Sequence, residues 1–157
     1  MKKFRPTSPG SRQRLSLNYR ALLTGVRPEK SLLKGGKRSV GRNSFGRITT
    51  RHKGGGAKKL FRDVDFFFVD KKGVPGKVVS LEYDPFRSGF IALVVYKDGE
   101  KRYMLAPHGV AVGSEILTAE KAPVTPGNRL ELGNMPVGTF VYNIELKPGN
   151  GGKVARS

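Results

Sequence analysis

From residue 63 onward, apolar and polar residues alternate in short runs cut by turn-forming residues. The run Lys77-Val-Val-Ser-Leu-Glu-Tyr83 sets Val79, Leu81 and Tyr83 on one face against Val78, Ser80 and Glu82 on the other, the period-two pattern of a half-buried strand. The same reading predicts strands over 63–70, 77–83, 90–96, 101–106 and 110–117, then over 129–132 and 138–146. Between them, Lys72-Gly73, Pro75-Gly76, Asp84-Pro85, Asp98-Gly99, Pro107-His108-Gly109 and Pro126-Gly127 supply turns. The stretch from Tyr96 to Lys101 reads as a hairpin, with Asp98-Gly99 providing the positive φ of a primed turn.

This pattern makes the fold class all-β. The strands before the break at 123–128 match a five-stranded OB-type barrel, and those after it would begin a second small barrel. The first 62 residues read differently. They contain Pro6, Pro9 and Pro28 and show no sustained alternation; only Leu15, Tyr19, Leu22 and Leu23 carry a helical spacing, which predicts a short helix or turn. The expected division is a basic N-terminal extension over 1–62, an OB-fold RNA-binding domain over 63–125, and the first strands of another barrel over 126–157.

Charge sharpens that division. Residues 1–62 hold 18 Lys and Arg against the single acid Glu29, a net of +17, whereas residues 63–157 hold 12 against 11 acids, a net of +1. A strongly basic segment of low apolar content cannot offset its own ordering entropy, so the arm is expected to need a partner to become ordered. A formal net charge of +18 for the whole chain points to a polyanion, nucleic acid before an acidic membrane surface. The basic residues are spread through Gly- and Pro-rich sequence and do not line an amphipathic helix, and the longest apolar run, Phe90 to Tyr96, is far shorter than a membrane-spanning helix. A transit peptide over 1–28 is disfavoured by Pro6, Pro9 and Gly10.

Catalytic readings find few residues to stand on. The chain has no Cys and only two histidines, His52 and His108, neither at ligand spacing from a second imidazole or carboxylate. The segment Gly41 to Ile48 mimics the glycine spacing of a phosphate-binding loop, but it carries Arg47 and Ile48 where lysine and a hydroxyl belong. No catalytic residue and no metal ligand is assigned. The positive signal is Gly46 to Arg62: Arg47, Arg51, Lys53, Lys58, Lys59 and Arg62 can reach phosphates, and Gly54, Gly55 and Gly56 leave the backbone bare for close approach to a strand.

At this point the chain resembles a known family, the universal large-subunit ribosomal protein two of bacterial type, over essentially all of its length. The residues that carry the resemblance are Pro6-Thr-Ser-Pro9-Gly10, Pro28 to Leu33, Gly41-Arg-Asn43, Gly46-Arg-Ile-Thr-Thr-Arg-His-Lys-Gly-Gly-Gly56, Glu82-Tyr-Asp-Pro85 with Arg87-Ser88, Asp98-Gly-Glu-Lys-Arg-Tyr103, Ala106-Pro107, Pro136-Val-Gly-Thr139 and Asn143 to Gly149 with Gly151-Gly152, in order. The resemblance implies a basic extension threaded into large-subunit rRNA, an OB-fold domain, and then an SH3-like barrel. It adds Arg87 and Arg156 to the RNA contacts of the globular region. The expected RNA-binding set is therefore Arg42, Arg47, Arg51, His52, Lys53, Gly54, Gly55, Gly56, Lys58, Lys59, Arg62, Arg87, Arg102 and Arg156. Three positions depart from the family's pattern: Ala57 and Tyr142 stand where histidine is usual, and Phe86 where asparagine is common.

The expected function is that of a non-enzymatic constituent of the large ribosomal subunit, supporting rRNA folding, subunit assembly and translation. The competing reading is a free-standing OB-type single-strand-binding module outside the ribosome. Expected partners are large-subunit rRNA and neighbouring ribosomal proteins, with no membrane; because the family continues past the position of Ser157, a separate chain supplying the remainder of the second barrel is also expected. No cofactor is expected, magnesium entering only as a structural ion through rRNA. The expected location is a bacterial cytoplasmic ribosome or that of a bacterial-type organelle, in the mitochondrial matrix.

Overall fold

The computed structural model describes residues 1–36 and 39–156; Lys37 and Arg38 of the arm, and Ser157, lie outside the described residues. In chain order, β1 (Lys2–Lys3) pairs antiparallel with β2 (Leu15–Ser16), the one-turn helix α1 (Pro9–Arg12) lying between them. A second single turn, α2 (Tyr19–Leu22), falls where the helical spacing predicts it. Further on, β3 (Leu33–Gly35) pairs antiparallel with β4 (Leu60–Arg62). The principal sheet comprises β5 (Gly76–Glu82), β6 (Ile91–Tyr96), β7 (Lys101–Leu105) and β8 (Glu115–Ile116), in the order β7-β6-β5-β8. The segment before β5 ties the two edges of this sheet together. Val64 bridges Tyr103 on β7, and Lys72 bridges Thr118 just beyond β8, so the sheet curls into an OB-like half-barrel.

Strand β6 is continuously apolar because both of its faces are covered. Ala92, Val94 and Tyr96 join Phe68, Val78, Met104 and Ile116 in one core cluster, while Ile91 and Leu93 join Val64, Tyr103 and Leu105 in another. Leu32, from the arm, and Phe66 pack against the second cluster. The arm therefore departs from the expectation that it orders only with a partner. Thr24 exchanges backbone and side-chain hydrogen bonds with Leu81 (3.0 and 2.8 Å), the Glu29 amide donates to the Tyr103 hydroxyl (2.9 Å), and Lys101 pairs with Glu29 (2.7 Å). Residues 24–35 are anchored by pairing with sequence-distant strands, which no local pattern displays.

Several expected elements come out differently. The buried face of β5 is Val78, Ser80 and Glu82, not the more apolar Val79, Leu81 and Tyr83. A register irregularity between Val78 and Ser80 accompanies this face choice. Burial of Glu82 is tolerated because Ser80 Oγ and the Tyr103 hydroxyl each donate to its carboxylate at 2.9 Å. No strand forms over 63–70 beyond the bridge at Val64, because Asp65 Oδ1 accepts the amides of Phe67 (2.8 Å) and Phe68 (3.2 Å) and Phe68 turns left-handed at φ 54°. The stretch 110–117 shrinks to β8.

The β6–β7 hairpin forms as expected but with another turn. Gly99 donates to the Tyr96 carbonyl and alone takes positive φ (86°), which is a type I turn at Lys97-Asp98 followed by a glycine bulge. Over 129–132 and 138–146 no strand is present among the described residues. Arg129 bridges Thr118, Leu132–Asn134 is a 3-10 turn, and Ile144 bridges Val154. Left-handed Asn143 (φ 52°) interrupts the second of the extended runs that an SH3-like barrel would have begun.

Candidate nucleic-acid interface

Residues 41–50, the stretch that mimics a phosphate-binding loop, form a short hairpin. The Gly41 carbonyl accepts the amides of Thr49 (2.8 Å) and Thr50 (3.2 Å), and Asn43 Oδ1 accepts those of Phe45 (3.0 Å) and Arg47 (2.9 Å). Arg42 Nη1 donates to the Gly46 carbonyl at 2.8 Å. Gly41 sits at φ 68° with the Thr50 carbonyl oxygen 2.3 Å from where a Cβ would stand, so only glycine closes this hairpin. Its tip projects Phe45 into solvent, and Ile48 is also exposed.

Beyond the hairpin the backbone runs through consecutive left-handed conformations: φ is 129° at Gly54, 67° at Gly55 and 76° at Gly56, after 58° at His52. At Gly54 and Gly55 nothing lies within 4 Å of the Cβ position, so the demand for glycine comes from backbone conformation and not from crowding. Arg47, Arg51, Lys53 and Lys58 are exposed and form no side-chain ion pair with the described residues. Between Lys30 and Arg62 there is no Asp or Glu to neutralise them. Lys59 extends its Nζ over the Phe86 ring at 6.0 Å, and Phe86 meets Phe61 of β4 edge-on at 5.7 Å. Arg62 donates through Nη1 to the Leu60 carbonyl (2.8 Å), while its Nε is buried without a partner.

The turn after β5 orients a second group of cations. Asp84 is fully buried; its Oδ1 accepts the Phe86 amide (3.0 Å) and its Oδ2 accepts Arg87 Nε (2.5 Å). This fixes the Arg87 guanidinium 5.6 Å from the Phe66 ring, where the Arg156 guanidinium also stacks at 4.0 Å. Arg156 Nη1 is further held by the Gly152 carbonyl (3.1 Å). The structure thus brings Lys59, Arg87 and Arg156 into one band interleaved with Phe61, Phe86 and Phe66. Reasoning from the sequence named the cations and missed the rings. The available signal was the adjacency of Phe61 to Arg62 and of Phe86 to Arg87.

Arg102 lies apart from this band. On β7 its guanidinium donates to Asp65 (2.7 Å), Asp70 (2.8 Å) and Glu100 (2.8 Å), and the hydrogen bonds accepted by Asp70 and Glu100 push its pKa further upward. Its charge is committed to the barrel, which makes it a fold-stabilising cation in this structure and not a free contact for phosphate. Lys71, 4% exposed, is likewise held by Asp98 (2.5 Å) and by Glu100, and the hydrogen bonds it donates to these two carboxylates raise its pKa. The same contacts hold Asp98 and Glu100 below the usual carboxylate range.

A family model described as "Ribosomal Proteins L2, RNA binding N-terminal domain" matches residues 29–118. That span takes in the anchored arm segment from Glu29 onward, the hairpin, the glycine loop and the whole curled sheet.

Proposed function

Because the chain belongs to the ribosomal protein L2 family, we propose that this RNA-binding ribosomal protein supports large-subunit rRNA folding, subunit assembly and translation as a structural constituent with no catalytic role. The observation that carries the reading is the acid-free hairpin and glycine loop, whose Arg47, Arg51, Lys53 and Lys58 form no ion pair among the described residues, beside a barrel whose Arg102 and Lys71 are held by carboxylates. In this reading Arg42, Arg47, Arg51, His52, Lys53, Lys58, Lys59 and Arg62 of the 1–62 extension contact rRNA, with Arg87 extending the contact onto the 63–125 domain and Arg156 onto the segment that follows it. Gly54, Gly55 and Gly56 let the backbone approach the strand. Arg102 is left out of the set. Residues 126–157 offer exposed Val137 and Phe140 without neighbouring Lys or Arg in sequence, which suits neighbouring ribosomal proteins. Magnesium enters with the rRNA, and the host ribosome is of bacterial type, cytoplasmic or mitochondrial.

The test is binding of the full chain to transcribed large-subunit rRNA across a salt series, with sedimentation of the tagged protein in cells. Affinity should fall on the order of a thousandfold or more between about 50 and 200 mM salt, as expected for neutralising roughly 6 to 10 phosphates. The protein should travel with large subunits. Salt-insensitive binding, or release from large particles by nucleases that digest only single strands, would count against the proposal.

A further inference from the structure

Phe45 is 87% exposed and makes no ring contact among the described residues. Three other exposed phenylalanines, Phe61, Phe86 and Phe140, differ from it. Phe61 and Phe86 pack against each other under Lys59, and Phe140 lies in a stretch, 130–146, that has no Lys or Arg. A ring open to water on both faces is unfavourable until something covers it, and its surroundings decide what can. Arg42 and Arg47 flank Phe45, and the nearest acids in sequence are Glu29 and Asp63. Such a setting attracts a polyanion, and the flat, weakly polar surface that an RNA can offer is an unpaired base.

We propose that Phe45 is a base-stacking residue, lying against an unpaired rRNA nucleotide while the flanking arginines meet its phosphates. This rests on the rRNA-binding reading and narrows it to a bulged or looped nucleotide at the hairpin tip. The hairpin is held by Gly41 and Asn43, so placing the ring requires little further ordering of the backbone. Because the side chain is almost wholly exposed and belongs to neither core cluster, its replacement leaves the fold intact.

The experiment compares the full wild-type chain with Phe45→Trp, Phe45→Leu and Phe45→Ala in binding to transcribed large-subunit rRNA over a salt series, together with ultraviolet crosslinking and peptide mapping. Tryptophan should keep affinity within a few-fold, and leucine and alanine should each lose roughly 5- to 150-fold. All four proteins should share one slope of log affinity against log salt, since no phosphate contact is removed. The peptide containing Phe45 should crosslink to a nucleotide that chemical probing shows unpaired. Leucine binding as tightly as phenylalanine would mean that bulk and not a π-face is recognised, and equal affinities throughout would mean the ring is idle; either overturns the proposal while rRNA binding stands. Absence of salt-sensitive binding by the wild type overturns both readings.

Discussion

The curled sheet and the hairpin with its glycine loop use the same basic side chains in opposite ways. In the sheet, Arg102 and Lys71 sit among Asp65, Asp70, Asp98 and Glu100, and Arg129 is bonded to Glu145. In the loop, Arg47, Arg51, Lys53 and Lys58 face solvent in a stretch without acids. Whether a cation is a structural part or a binding group is decided by what has already neutralised it. The band around Phe66 is the intermediate case: Arg87 gives Nε to buried Asp84 yet keeps its remaining donors, so it is oriented by the fold and still available to a ligand.

The sharpest way to break this contrast is at Tyr103, where the sheet holds the arm segment that leads into the hairpin. Its hydroxyl donates to Glu82, accepts the Glu29 amide, and belongs to a fully buried ring. Tyr103→Ala should destabilise the protein by about 3–5 kcal/mol, through the cavity and the buried Glu82 carboxylate left with one of its two donors. Chemical denaturation measures this directly. A change below about 1 kcal/mol would show that the second core cluster and the arm it anchors contribute little.

That junction also shows what the sequence could and could not reveal. The β6–β7 hairpin was legible because its pattern and its Asp98-Gly99 turn are local. The pairing of β3 with β4 was not, because the partners flank the entire hairpin and glycine loop and neither run alternates. The face of β5 was misjudged because burying Glu82 makes sense only once Tyr103, on another strand, supplies a donor. For the candidate site, the acid-free run stood out in composition alone. The meeting of Arg87 and Arg156 across Phe66 depends on Gly152 docking its amide on the Phe66 carbonyl (3.1 Å), a contact between segments that only the fold brings together. Arg102 was named for its charge and its place in a resembling motif; neither reveals three carboxylates around it.

Alkaline pH should separate the regions next, with a somewhat smaller effect. Burial, reinforced by Asp65, pushes the Tyr96 phenol from 10.0 up to about 12, and burial raises Tyr142 to about 12 against the opposing charge of Arg129. The folded protein therefore binds these protons more tightly than the unfolded chain. The stability they contribute is complete below pH 10, declines as pH rises toward 12, and is gone above it, Tyr96 alone accounting for about 2–3 kcal/mol. Lys71, held charged by Asp98 and Glu100, shifts stability in the same direction. Denaturation midpoints taken between pH 9 and 12 should fall together with the tyrosinate absorbance. A midpoint that stays level over that range would contradict the burial of these phenols.

Gly55→Val probes the loop side of the comparison. A β-branched residue at φ 67° carries roughly 1–3 kcal/mol of backbone strain. The position has open space around it and lies outside both core clusters, so the free loop can relax without disturbing the sheet. The strain should emerge when the loop must take its bound shape, as a loss of roughly 5- to 150-fold in rRNA affinity, with a melting temperature close to that of the wild type. The reverse outcome, a lowered melting temperature with normal binding, would make this loop a structural part of the barrel.

The smallest effect is expected from single cations, and it distinguishes the two populations most directly. Lys53 is exposed, lies in the acid-free run, and has no ion-pair partner among the described residues. Lys53→Ala should leave stability within about 0.5 kcal/mol of the wild type, as for surface substitutions away from packing. It should lower the slope of log affinity against log salt by about one unit, because one fewer condensed counterion is released on binding. Arg102→Ala should do the converse. Its guanidinium is 19% exposed and bonded to three carboxylates, so its removal leaves Asp65, Asp70 and Glu100 facing one another and lowers stability, while the slope in the folded protein stays unchanged. Measuring both quantities for both variants tests the division itself. If Arg102→Ala lowers the slope as much as Lys53→Ala does, internal pairing does not withdraw a cation from RNA, and the rule that separates the barrel from the loop fails.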